Sequence, residues 1–325
     1  MKTKTTITEI AEKLKTVKSA LIFSHVRPDG DTLGSAAALK HALEKFGVEC
    51  RLVCPSEIPQ KFSFLSINEN YTKLPDNARF DVHIAVDCST EGMLGDYSTL
   101  FQSCKNTFNI DHHISNSLYA KYNYVCDRAA NCENIYELIT ELFRGEEDKR
   151  IDERIATEIM LGIVTDTGAF AHSNVTENTL EVAAVLKKAG ADLHEIVYKL
   201  FKEQKLVRAR LFALVISGMK IYHDGKLAVI SVRKTDFEKT GASTDMTEGF
   251  IDFPLSVEGV EVAVSIMETG DKKFKLSFRS KGTANVNEIA SRFGGGGHIL
   301  ASGCMLNGYY EDVVDKIVFT VGNYL

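Results

Sequence analysis

Over the first half of the chain, short uninterrupted apolar runs alternate with longer segments whose apolar positions recur every three or four residues. That alternation predicts a parallel sheet covered by helices on both faces. Ala20 to Ser24 reads as a buried strand, and Asp31 to Gly47 places Ala36, Leu39, Leu43 and Phe46 at helical spacing before Gly47 stops the helix. Glu49 to Cys54, Phe80 to Asp87 and Thr107 to Ile110 read as further strands, each ending in a polar cluster. In open α/β sheets ligands bind at such carboxyl ends.

The pattern turns helical from Asn131, with periodic stretches over Asn134 to Phe143, Arg154 to Val164 and Glu177 to Ala189. A longer charged segment from Leu193 reads as a single connecting helix. Beyond it, two strand pairs fold at His223-Asp224-Gly225 and Thr269-Gly270-Asp271, which predicts a smaller α+β domain with a mixed sheet. The expected organisation is an α/β domain over 1–190, the connecting helix over 191–217 and the second domain over 218–325.

Composition fits two globular domains. A length of 325 residues exceeds what one core usually supports, and 44% hydrophobic with 25% charged residues excludes disordered and collagen-like classes. The net charge of −6 argues against a protein that coats long nucleic acid through a basic face, and leaves small or short anionic ligands open. Seven cysteines without a CxxC pair point to reduced thiols rather than a zinc ribbon. The N-terminal stretch lacks a signal-like apolar segment and no run is long enough to span a membrane, so a cytoplasmic location with no membrane partner is expected.

Chemistry gathers at the predicted strand ends. His25, Asp29 and Asp31 follow the first strand within HVRPDGD; Asp87 ends the next; Asp111, His112 and His113 follow a third; Asp166 closes a helix within GIVTDTG. Taken singly, each has a plain structural reading, such as a helix cap at Asp31 or turn residues at Pro28-Asp29-Gly30. Four clusters at one sheet edge instead suggest mixed carboxylate and imidazole ligands without thiolate, a donor set suited to Mn2+ or Mg2+ and numerous enough for two divalent ions. In the second half, Gly294 to Gly297 run into His298, and Arg279 and Ser302 stand nearby; backbone amides of Gly295, Gly296 and Gly297 can approach an anion closely, with Arg279, His298 and Ser302 adding donors. Phe170 and His172 are further candidates for contact with a base.

The segments HVRPDGD, VDCS, DHH and GIVTDTG, in that order, resemble the four motifs of the DHH phosphoesterases, and FRSK with GGGGHILASG resembles their glycine-rich DHH-associated domain. Length and motif spacing resemble the short bacterial branch that acts as an oligoribonuclease and 3′-phosphoadenosine 5′-phosphate phosphatase. The resemblance implies one metal on His25, Asp29 and Asp87, a second on Asp31, Asp87, His112 and Asp166, with Asp87 bridging and Mn2+ ahead of Mg2+. It further implies that His113 faces the scissile phosphate and that Asp111 orients a histidine. Short RNA oligonucleotides and nucleoside bisphosphates are the implied substrates; apart from the resemblance, exposed apolar surface leaves a homodimer open. Hydrolysis of linear or cyclic dinucleotides, pyrophosphate hydrolysis and non-catalytic nucleotide sensing stand as alternatives. The glycine-rich segment disfavours pyrophosphatase and the complete ligand set disfavours a sensor.

Overall fold

The computed structural model describes residues 3–65, 67, 71 and 78–325. They form two compact units that divide between Glu203 and Gln204.

In the first unit the elements run β1 (Thr3–Lys4), α1 (Ile7–Leu14), β2 (Ser19–Phe23), α2 (Gly30–Glu44), β3 (Glu49–Val53), β4 (Val82–Val86), α3 (Ser98–Ser103), β5 (Thr107–Asp111), β6 (Tyr122–Val125), α4 (Asn131–Phe143), α5 (Glu153–Asp166), α6 (Glu177–Lys188) and α7 (Leu193–Val197). The strands make a sheet of order β1-β6-β5-β4-β2-β3, parallel throughout. Side chains alternate along each strand, so β2 sends Ala20 and Ile22 into the larger core beneath α1, α2, α4 and α5, and Leu21 and Phe23 into a smaller core with Phe101 of α3. Helices therefore cover both faces, as the apolar runs predict. Strand order reverses between β2 and β4, and the crevice at their carboxyl ends is where such folds bind ligands.

The second unit comprises α8 (Leu206–Ser217), β7 (Lys220–Tyr222), β8 (Leu227–Val232), α9 (Lys234–Thr240), α10 (Asp252–Ser256), β9 (Val262–Gly270), β10 (Lys273–Ser280), α11 (Val286–Ser291), β11 (Gly296–His298), β12 (Ala301–Asn307) and α12 (Tyr310–Gly322). Its sheet, order β11-β12-β10-β9-β8-β7, is mixed: only β8 and β9 pair in parallel. One face packs under α11 and α12 through Phe274, Leu276 and Phe278; α8 and Phe250 cover β8 on the other. That second face is left open over β10.

The single connecting helix expected over 191–217 does not form. After α7 comes one wide helical turn, Tyr198–Lys202, then extended backbone at Glu203 and Lys205 before α8 begins. Residues 201–205 are all exposed, and Lys202 to Lys205 offer no apolar position to bury, so nothing pays for continuing the helix there. The division of the chain falls at this break, not at either predicted boundary.

Candidate metal centre

The first unit's sheet edge collects the predicted ligands from five elements. His25 lies beyond β2, Asp29 and Asp31 at the start of α2, Asp87 beyond β4, His112 and His113 beyond β5, and Asp166 at the end of α5. Among the described residues, three trios have ligand atoms within 4.8 Å of one another: His25, Asp29 and Asp87; Asp31, His112 and Asp166; and Asp87, His112 and His113. The first two contain both predicted metal sets, apart from Asp87 in the second.

Asp87 joins them through its two oxygens. Oδ2 lies 3.4 Å from His25 Nε2 and Oδ1 lies 3.4 Å from His112 Nε2. The residue is 2% exposed, yet among the described residues Oδ1 meets no hydrogen-bond donor in good geometry. A buried carboxylate oxygen without a donor is costly, and a cation on that side would satisfy it. Its backbone is left-handed, φ 57°, an uncommon conformation for a non-glycine residue that turns the side chain into the crevice at the end of β4.

Hydrogen bonds fix the histidine tautomers. His25 Nδ1 is 2.8 Å from the Val26 carbonyl and His112 Nδ1 is 3.0 Å from the Arg128 carbonyl. A carbonyl oxygen only accepts, so each Nδ1 carries a proton and each Nε2 faces the crevice, where a bound metal ion would take the place of a second proton. His113 differs: Nδ1 sits 2.8 Å from Asp111 Oδ1, while Asn116 Nδ2 donates to Asp111 Oδ2 at 2.6 Å and to Asn109 Oδ1 at 2.8 Å. Asp111 is fully buried, so this chain of partners fixes the ring of His113 from behind.

Asp31 is fully buried against the start of α4, where Oδ2 accepts from the Asn131 amide at 2.5 Å and Oδ1 from the Cys132 amide at 2.8 Å. Free amides at a helix start favour a carboxylate. The cap of α2 is Asp29, whose Oδ1 accepts from the Asp31 and Thr32 amides at 3.1 Å, not Asp31 as the plain sequence reading has it. Asp166 has the opposite setting: it ends α5, where the helix dipole is negative and disfavours an anion. A bound cation would offset that penalty.

Close packing keeps Asp31 in place. A Cβ on Gly162 of α5 would stand 2.5 Å from Asp31 Oδ1 and 2.2 Å from Cys132 Sγ, so the glycine of GIVTDTG is needed for contact rather than for turning. Gly162→Ala should displace Asp31 and weaken Mn2+ binding at least tenfold, read by calorimetric titration. An unchanged affinity would show that the site tolerates the shift.

The clustered acids perturb one another. Burial, then the charge of Asp87, pushes Asp31 up to about 7; burial, then the charges of Asp31 and Asp87, pushes Asp166 up to about 9. Burial pulls both histidines down, but hydrogen bonds and charge from the neighbouring aspartates outweigh it, raising His25 to about 11 and His112 to about 10. Asp29 is held below the ordinary range despite desolvation by His25 and the two amides it caps. The hydrogen bond to Asp111 raises His113 against a smaller burial effect. The metal-free fold thus keeps protons on Asp31 and Asp166 that an unfolded chain releases near 3.8, and on His25 and His112 that it releases near 6.5. In all four cases folding binds extra protons, so stability falls as pH rises through these windows. Divalent cations can replace those protons. Mn2+ should therefore raise the melting temperature, relative to chelator, more at pH 8.5 than at pH 6; an equal rise would count against the ligand set.

The second unit brings together only part of its predicted group. Arg279 on β10 and His298 on β11 both pair with Ala301 of β12 in register, so the three share a row on the open face. Ser302 does not join them. Alternation turns it to the opposite face, where it is buried and its hydroxyl donates to the Val286 carbonyl at the start of α11. Gly297, at φ 150°, would place a Cβ 2.6 Å from the Ala301 carbonyl, and Gly295 would place one 2.2 Å from that of Gly303. These glycines let β11 lie against β12. Gly296 pairs with Gly303 and leaves the neighbouring row of the open face bare.

In the loop after Asp166, His172 Nδ1 donates to the Asp166 carbonyl at 3.2 Å and its ring lies over Gly168. Phe170, the other candidate for base contact, packs partly against the main core. Asn116, and the amides of Asn131 and Cys132, escape a reading based on titratable residues. The asparagine three positions after His113 and the helix beginning at Asn131 are their only local signals.

Comparison with known proteins agrees with this anatomy. The chain matches the DHH family, N-terminal domain, over residues 19–163 and the DHHA1 domain over residues 224–325. It is 32% identical to the bifunctional oligoribonuclease and PAP phosphatase NrnA of Thermus thermophilus, across 95% of this chain and 92% of that one. Identity to the NrnA of Bacillus subtilis is 28% over 96% of both. Among solved structures, an exopolyphosphatase-related protein from Bacteroides fragilis superposes with a TM-score of 0.82 at 25% identity, covering 98% of this chain and 96% of that one.

Proposed function

The chain belongs to the DHH family of phosphoesterases, and on that premise we propose that it hydrolyses short 5′-phosphorylated oligoribonucleotides to mononucleotides and 3′-phosphoadenosine 5′-phosphate to AMP. The observation that carries the chemistry is Asp87, whose two oxygens face His25 on one side and His112 on the other. His25 and Asp29 would share Asp87 around one divalent ion; Asp31, His112 and Asp166 would share it around a second. Carboxylate and imidazole donors without sulfur suit Mn2+, with Mg2+ the harder alternative. Two such ions, when bound, would lower the pKa of a water and neutralise phosphoryl charge.

The protein's own residues supply the rest. The Val26 and Arg128 carbonyls hold His25 and His112 with Nε2 facing inward. His113 holds its Nδ1 proton against Asp111 and leaves Nε2 to carry a second proton toward the substrate. Its raised pKa favours that protonated form, which can donate to a phosphoryl oxygen or to the departing ribose oxygen.

In the second unit, Arg279 and His298 would grip the terminal phosphate, with the Gly295 to Gly297 backbone as close neighbours. Ser302 is left out of this grip because its hydroxyl proton is committed to Val286. Mononucleotide release from a 5′-phosphorylated diribonucleotide tests the reading. It should require added divalent metal after chelation, and turnover that survives complete metal removal would refute it.

A further inference from the structure

Beside the Arg279 row, the second unit contains a cavity of about 500 Å³ that lies wholly within it. Its floor is the open face of β9 and β10: Ser265, Met267, Lys275, Ser277 and Arg279. Register sets them out as a grid, with Lys275 opposite Met267, Ser277 opposite Ser265 and Arg279 opposite Ala263. The wall is the segment before α10, and it carries the carboxylates of Asp245 and Glu248. That wall is anchored: Phe250 is buried beneath it, and Arg208 donates to the Glu248 carbonyl at 2.7 Å.

The charge layout is polar across the cavity. Among the described residues, Lys275 and Arg279 form no ion pair with a carboxylate, and the Arg279 side chain donates to the Phe278 carbonyl next to it. Cations therefore occupy the floor, carboxylates the opposite wall, and serine hydroxyls with a thioether lie between. A ligand matching this arrangement has an anionic end, hydroxyls and a flat end that donates hydrogen bonds. A cavity of this size falls within the range of small-molecule sites.

We infer that this cavity holds one ribonucleotide of the substrate, phosphate on Arg279 and Lys275 and base against Met267, and that Asp245 and Glu248 select bases bearing an exocyclic amine over uracil. The inference rests on the phosphate grip assigned to Arg279 above. A carboxylate accepts from the amino group of cytosine, adenine or guanine, whereas uracil offers it only N3–H, flanked by two carbonyl oxygens that face the carboxylate with like polarity. Met267 offers a polarizable surface to any base, so discrimination falls to the two acids.

CMP and UMP differ at this edge and hardly in size, and they make the direct test. Calorimetric titration of the full, metal-stripped chain should show CMP binding about tenfold more tightly than UMP, the scale of one hydrogen bond to a charged group. Ribose 5-phosphate should bind no better than UMP. The double variant Asp245→Asn with Glu248→Gln should abolish the CMP advantage and leave ribose 5-phosphate unchanged. Should that variant fail to fold, Ser265→Phe, which fills the floor, should weaken both nucleotides about tenfold while its circular dichroism spectrum matches that of the parent chain. Equal affinity for CMP and UMP, or a preference that survives the double variant, overturns the inference. Failure of metal-dependent hydrolysis would refute the proposed function and leave this metal-free binding test readable.

Discussion

Asp87→Asn should lower mononucleotide release at least a thousandfold while leaving the metal-free chain folded. The activity loss follows from position: among the described residues no other side chain places one oxygen toward His25 and the other toward His112, so an amide leaves both proposed ions short of a shared anion. The stability effect follows from charge. Asp87 pushes Asp31 and Asp166 upward but also holds the charge on His25 and His112, so an amide relieves repulsion and removes attraction together, and the net change is small. Thermal unfolding in chelator, set beside the rate in Mn2+, separates the two effects. A variant that loses activity because it unfolds would contradict this account.

The second large effect concerns His113. His113→Ala should reduce kcat by about a hundredfold to ten-thousandfold, the usual scale for a positioned proton donor, with Mn2+ affinity within a few-fold of the parent chain. Asp111→Asn should reproduce much of that loss, because an amide at this position no longer favours the protonated ring. The two losses should not add in the double variant, since Asp111 acts through His113. Additive losses in the kcat of the double variant would place Asp111 elsewhere in the chemistry, as would loss of metal binding in Asp111→Asn alone.

How far the sequence discloses this site depends on the kind of interaction. Asp87, the DHH segment and Asp166 are legible because each polar group interrupts an apolar run at a strand or helix end, and the parallel sheet gathers such ends along one edge. The tautomers of His25 and His112 are not legible, because they depend on carbonyls, one of them sixteen residues away at Arg128. Asn116 is equally hidden, as an uncharged side chain whose importance lies in being 2.6 Å from a buried carboxylate. In the second unit, residue type points to Arg279, His298 and Ser302 alike, and only strand register shows that Ser302 faces the other way. The connecting helix fails for a local reason: spacing over Leu193 to Ser217 looks helical on average, while Lys202 to Lys205 supply no residue that packing could hold.

The most direct test of the central claim is to strip the chain of metal and titrate Mn2+ back while following both bound metal and mononucleotide release from a 5′-phosphorylated diribonucleotide. The account predicts two ions per chain at full activity and at most one in Asp87→Asn. Full activity with a single ion bound, or release that needs none, would contradict it.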